Sequence, residues 1–303
     1  MFVVKFRKVF YAISFVLFAL SIYGLAVFGL KLGIDFKGGT SIEVVCQKPL
    51  DINSTNEILS HQMLEKPLGE FSVRTQGDTG AIIRTRELTP EETTAITAVF
   101  TTGDQCVVAN VNTAGAVLGD EFTAKAMKSV IYVLVAIVLF ITFAFRAVSR
   151  PVASWKYGLV AIVALLHDVI IPAGVFAYLG EFHGIEVDSL FVTAILVVLG
   201  FSVHDTIVVF DRTRENLKHN QHDRVKKSFE EIVGASVSQT FARSINTSLT
   251  TIISLVVLYV WGPETTQNFS LALIIGIVAG TYSSIFIGSP LLVTLEKWQN
   301  RKK

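Results

Sequence analysis

The chain has 303 residues, of which 51% are hydrophobic and 17% charged, with a mean hydropathy of +0.55. That balance excludes an ordinary soluble globular domain. The net charge of +1 says little by itself, and no nucleic-acid partner is expected.

Apolar runs of roughly 18 to 22 residues, the length that spans a hydrocarbon core, recur six times. They lie near 9–29, 127–146, 157–179, 190–210, 243–261 and 270–293. The first is longer than the core of a cleaved secretory signal, and no clean A-x-A site follows it, so it reads as a retained span. Residues 31–124 form a water-soluble insertion that carries thirteen of the 25 acidic residues. The remaining 125–303 hold five spans, with a charged loop at 211–239.

Within the insertion, Thr40–Cys46 reads as a strand and Ile52–Leu64 as a helix, started by Asp51 or by Asn53-Ser54-Thr55. Phe71–Thr75 and Ala81–Arg86 flank Gly77-Asp78-Thr79-Gly80 as a hairpin. Thr89-Pro90-Glu91-Glu92 starts a second helix, with Thr89 as cap and Pro90 at the first helical position. A last strand runs near Gln105–Asn112. The order β-α-β-β-α-β is the split βαβ, or ferredoxin-like, arrangement. Cys46 and Cys106 fall on its first and last strands, which are usually antiparallel neighbours. The pair reads equally as a disulfide or as two buried small hydrophobes. Two cysteines this far apart, without nearby histidines, make no metal site.

Basic residues set the orientation. Lys5, Arg7 and Lys8, then Arg146, Arg150 and Lys156, then Arg212 to Lys227, then Lys297 to Lys303 all fall on one side. The opposite short loops, Gly180–Val187 and Gly262–Asn268, contain no Lys or Arg. Both termini are therefore expected in the cytoplasm, and 31–124 outside. The 211–239 segment reads as an amphipathic helix on the inner membrane face.

Four features interrupt the apolar runs. His167-Asp168 precedes Pro172 in the third, and His204-Asp205 lies in the fourth. Asp205 sits about 22 Å along its helix from the outer end. A carboxylate at that depth costs about 3 kcal/mol or more, which points to function. In the fifth, Ser236, Thr240, Arg243, Thr247 and Thr250 are spaced to share one helical stripe. Arg243 could pair with Asp205 or snorkel to the headgroups. His167 could relay protons or hydrogen-bond a neighbouring helix beside a proline kink. Gly276, Gly280, Ser284 and Gly288, each four apart, form a groove for close helix packing.

LGIDFKGGT (32–40), VLGFSVHDTIVVFDRTREN (198–216), QTFARSINTSLTT (239–251) and GIVAGTYSSIFIGSP (276–290) closely resemble motifs of the SecD/SecF family, in its smaller SecF branch. The family belongs to the RND transporter group and couples an ion gradient to protein export. The resemblance implies a membrane all-α fold with six spans, half of an RND-type core, plus the small ferredoxin-like domain outside. It implies that Asp205 lies on the proton path and that Arg243 works with it. His204 occupies a slot where Asn is also common, and His167-Asp168 matches a third-span polar pair of less settled role. It also implies SecD as the chain that completes a twelve-helix core. Beyond SecD it implies the SecYEG channel and YajC as the larger assembly, an unfolded preprotein as substrate, and the bacterial cytoplasmic (inner) membrane as location. No G-x-x-x-x-G-K-[ST] occurs and no cofactor is expected, so the energy would come from protons or sodium ions. Competing readings are an RND-type exporter of small molecules or lipids, an intramembrane hydrolase using Asp168 and Asp205 as a dyad, and a structural anchor.

Overall fold

The computed structural model describes residues 2–47, 52–60, 67–69, 71–76, 79–101, 106–145, 154–222 and 226–301. Along the chain, α1 (Phe2–Lys5) and α2 (Arg7–Val27) precede α3 (Ile34–Lys37) and β1 (Gly39–Cys46). There follow α4 (Ile52–Ser60), β2 (Ser72–Gln76), β3 (Gly80–Thr85), α5 (Pro90–Thr101) and β4 (Cys106–Ala114). The rest is helical: α6 (Ala116–Ala144), α7 (Ser154–His183), α8 (Ser189–His222), α9 (Phe229–Trp261) and α10 (Gln267–Ser283). A π-helical turn at Ser284–Gly288 leads into α11 (Ser289–Arg301). The sequence expectations at Asp51, 61–64, Gly77, Asp78, Gln105, Arg146, Arg150, Arg224, Val225, Lys302 and Lys303 lie outside the described residues. The chain divides into two units, Leu32–Met127 and the remainder.

The smaller unit is an antiparallel sheet of strand order β2-β3-β1-β4. That order follows from a split βαβ chain, where β1 is central and receives both β3 and β4. One face of the sheet is apolar: Ile42, Val44, Ala81 and Ile83 are buried with Leu59, Ile96 and Phe100. The second helix starts as its residues dictate. Thr89 Oγ1 accepts from Glu92 N (3.2 Å), and Glu92 Oε2 accepts from Thr89 N (3.0 Å), a reciprocal capping box. Arg86 holds the same carboxylate through both terminal nitrogens, at 2.9 and 2.6 Å.

Gly38 and Gly39 turn the chain from α3 into β1 with φ of 75° and 128°, a region other residues avoid. A side chain on Gly39 would also meet the Thr85 carbonyl. Gly39→Ala is therefore expected to destabilise this unit by about 1–3 kcal/mol, read as a lower denaturation midpoint of the purified full chain.

Cys46 pairs directly with Cys106 across β1 and β4, and the two sulfurs are bonded, closing a loop of 60 residues. Replacing both by Ser is expected to cost about 2–4 kcal/mol. Thermal unfolding of the oxidised chain, with and without reductant, checks this: reductant should lower the wild-type midpoint and leave the variant unchanged.

Among the described residues, six helices are long and apolar enough to cross a membrane. α7, α8 and α10 pack against one another, with α2 against α7 and α9 against α8 and α10. Close approach is set by small residues. A Cβ on Gly276 would run into Val198, and one on Gly280 would lie 2.9 Å from Ser202 Cβ. Ser284 bonds Thr206, while Gly288 has only ordinary contacts. The π turn precedes Pro290, whose missing N–H and bulky ring cannot fit a regular α-helical turn. Phe145 stacks on Tyr157 and both meet Phe210 edge-on, with centroids 5.3–5.9 Å apart.

The 211–239 segment is not a separate surface helix. α8 continues unbroken to His222, and α9 already begins at Phe229, capped by Ser228 and Glu231. The physical reason is burial: Leu217, Phe229, Ile232 and Val233 join the core of the larger unit with Val3 and Val4. Polar bonds join the two extensions, from Asn216 Nδ2 to Ser236 Oγ (2.8 Å) and from Arg212 Nε to Gln239 Oε1 (2.6 Å). Glu230 closes the same end, accepting from Arg7 at 2.7 Å and from Lys297.

Candidate functional site

The buried polar residues of the spans lie where α7, α8, α9 and α10 pack. Asp205 on α8 is buried (2% exposed), and its Oδ2 has no hydrogen-bond partner. The hydroxyls of Ser244 and Ser248 on α9 neighbour its carboxyl. Ser244 Oγ is likewise buried without a partner, whereas Ser248 Oγ donates to Ser244 O (2.9 Å) and meets Thr281 Oγ1 (2.6 Å). Asp205 thus has polar surroundings and, among the described residues, no ion-pair partner.

Arg243 is not that countercharge in this structure. It is exposed, as is His204, and among the described residues it forms no ion pair. The stripe that α9 turns inward is Ser236, Thr240, Ser244 and Ser248, every fourth residue. Arg243 lies one position, about 100°, away from Ser244. Thr247 donates back to the Arg243 carbonyl (2.9 Å), and Thr250 is exposed. The expected stripe through Arg243, Thr247 and Thr250 is therefore corrected to its neighbour, because the hydroxyls fit the close helix contact and the guanidinium does not.

His167 and Asp168 form a second polar centre, buried to 5% and 0% exposure. His167 Nδ1 faces Asp168 Oδ1 at 3.0 Å, while Oδ2 accepts from Ser202 Oγ on α8 and from Ser283 Oγ on α10 (2.8 Å). Asp168 and Asp205 share no hydrogen bond, so the carboxylate dyad of a hydrolase is not built here.

Four consecutive residues, Thr281 to Ser283 at the end of α10 and Ser284 at the start of the π turn, tie the bundle together. Thr281 meets Ser248 on α9, Tyr282 donates to Phe10 O on α2 (3.0 Å), Ser283 donates to Asp168 on α7, and Ser284 meets Thr206 on α8 (2.8 Å). Successive residues point about 100° apart, so four of them reach four neighbours. Sequence reasoning missed Ser202, Thr206, Ser244, Ser248, Thr281, Tyr282 and Ser283, and read Ser284 only as a packing residue. A four-residue hydroxyl spacing was the available signal.

A half-bundle with buried carboxylates at its centre and an inserted split-βαβ domain defines a multi-span membrane protein of transporter type. The chain belongs to the SecD/SecF family. Residues 94–298 match the C-terminal region of the SecD/SecF protein export membrane proteins, and residues 23–50 match the SecD/SecF GG motif. The protein translocase subunit SecF of Thermobaculum terrenum is 41% identical, with 99% of this chain and 94% of that protein covered. SecF of Anaerolinea thermophila is 34% identical over 97% of this chain and 94% of its own length. The crystal structure of SecDF, a translocon-associated membrane protein from Thermus thermophilus, superposes with a TM-score of 0.83 at 29% identity. That match covers 98% of this chain but only 38% of the SecDF chain.

Proposed function

We propose that the chain is the smaller half of a SecD/SecF export complex and uses a proton or sodium gradient to assist late, ATP-independent translocation of unfolded preproteins. The observation that carries this reading is Asp205: a carboxyl group buried in an apolar span, with an unpartnered oxygen and no cation paired with it among the described residues. Such a group costs least when it binds a proton or metal cation, and it pays only in a protein that uses the exchange. Ion arrival neutralises Asp205; departure restores a charge that draws Arg243 in from the adjacent face of α9. Alternation between those states moves the spans and, with them, the domain 32–127.

The exposed polar edge supports a partner. His204, Arg243, Asn246 and Thr250 are exposed within spans, a costly arrangement against lipid. A SecD-type half would cover that edge, since RND cores are built from two related halves. The solved SecDF relative, which is longer than this chain, fits that arrangement. The Cys46–Cys106 bond favours an oxidising side for the small domain, with both termini in the cytoplasm. SecYEG is the channel on which the complex acts, with YajC as a further partner.

Inverted vesicles carrying this chain, its SecD-type partner and SecYEG test the reading with a reporter preprotein. Completion of late translocation after ATP depletion should rise when a proton or sodium gradient is imposed. Equal rates with and without either gradient would overturn it.

A further inference from the structure

Asp168 accepts from two serine hydroxyls at one oxygen and faces the His167 ring with the other. An ionised carboxyl group facing Nδ1 can only accept, so it favours the tautomer that carries the ring proton on that nitrogen. The other nitrogen, Nε2, is then a base, and it is buried without a protein partner. Pro172 lies four residues on and lacks the N–H that would ordinarily bond the Asp168 carbonyl. One turn of α7 therefore places an unpartnered ring nitrogen and a carbonyl without its helical donor beside the buried Asp168 carboxyl group, and no Lys or Arg pairs with that group among the described residues.

The ring stacks on Tyr282, with centroids 6.2 Å apart. Tyr282 begins a run of hydroxyls along the seam of α2 with α10 and α11. Ser14 donates to Tyr282 at 3.4 Å, and Tyr11 meets Thr294 at 3.0 Å. Arg7, one turn before Tyr11, reaches Glu230 at the end of the bundle. Titratable groups near the pair are thus Tyr282 from α10 and Tyr11, with Arg7 beyond it, from α2. Asp205 and His204 follow Ser202 on α8, and neither bonds the pair.

We propose that His167 and Asp168 form a second proton-binding site, separate from Asp205, filled from the α2 seam. Water carries a proton along the hydroxyls to Nε2, where a new N–H bond forms. The ring becomes an imidazolium paired with the Asp168 carboxylate, and return of the proton to water restores the neutral ring. The donors Ser202 and Ser283 lie on α8 and α10, so occupancy is felt by the helices that carry Asp205 and the hydroxyl quartet. The use of this site in export rests on the ion-coupled reading above; its protonation does not.

The test is 15N NMR of histidine-labelled full-length chain in lipid nanodiscs between about pH 5 and 9. One ring that titrates should vanish in His167→Asn and persist in His204→Asn and Asp205→Asn. The Asn carboxamide can still donate to Asp168, so the fold is retained while the titrating nitrogen is removed. If His167→Asn does not fold, Asp168→Asn carries the same test by displacing the midpoint of that ring. A His167 ring whose nitrogen shifts stay constant across the range would overturn the proposal. Because the readout involves no export, a titrating ring alongside gradient-independent export would sink only the ion-coupled reading.

Discussion

Asp205→Asn is expected to remove the response of export to an imposed gradient, reducing the rate to the level seen with no gradient. The substitution is nearly isosteric, and its amide keeps polar contact with Ser244 and Ser248. It also removes the cost of a buried charge, so the variant should insert and fold at least as well as the wild type. What it loses is the ability to change charge. Vesicle translocation with and without a gradient checks this, alongside a circular dichroism melt showing an intact fold. A variant that still responds fully would mean that Asp205 is scaffold.

The second large effect is structural. Gly280→Leu places a side chain where Ser202 already lies 2.9 Å from an added Cβ. It would separate α10 from α8 and loosen both the Ser202–Asp168 and Thr206–Ser284 bonds. Overpacking of this kind costs about 1–3 kcal/mol, and the lost buried hydrogen bonds add to it. The melting temperature in detergent should fall clearly. Gly200→Leu is the control, because nothing lies within 4 Å of an added Cβ there, and its melting temperature should stay unchanged.

The elements legible from sequence were those written in local chemistry. Thr89, Pro90 and Glu92 mark a helix start whatever the tertiary context, and the strand-helix order of the inserted domain leaves β1 as the central strand. Asp205 stood out because a charge interrupts an apolar run. The inward face of α9 was less legible. From Thr240 the chain continues to a polar residue either three or four positions on, Arg243 or Ser244, and both choices satisfy a helical period. Only the packing of α8 and α10 against α9 selects Ser244 and Ser248. The helix ends near 211–239 were misread for a related reason. Charged residues there suggested an interface, while the buried Leu217 and Phe229 belong to the core.

Gradient energy entering through one acid in α8 is the claim on which the functional account depends. Infrared difference spectroscopy of the assembled complex in sealed vesicles, recorded as a gradient is imposed, reads that acid directly. A carboxyl band that changes on energisation in the wild type and disappears from the difference spectrum in Asp205→Asn is the predicted result. The same band persisting in that variant, or no carboxyl change in the wild type under either ion, would contradict it.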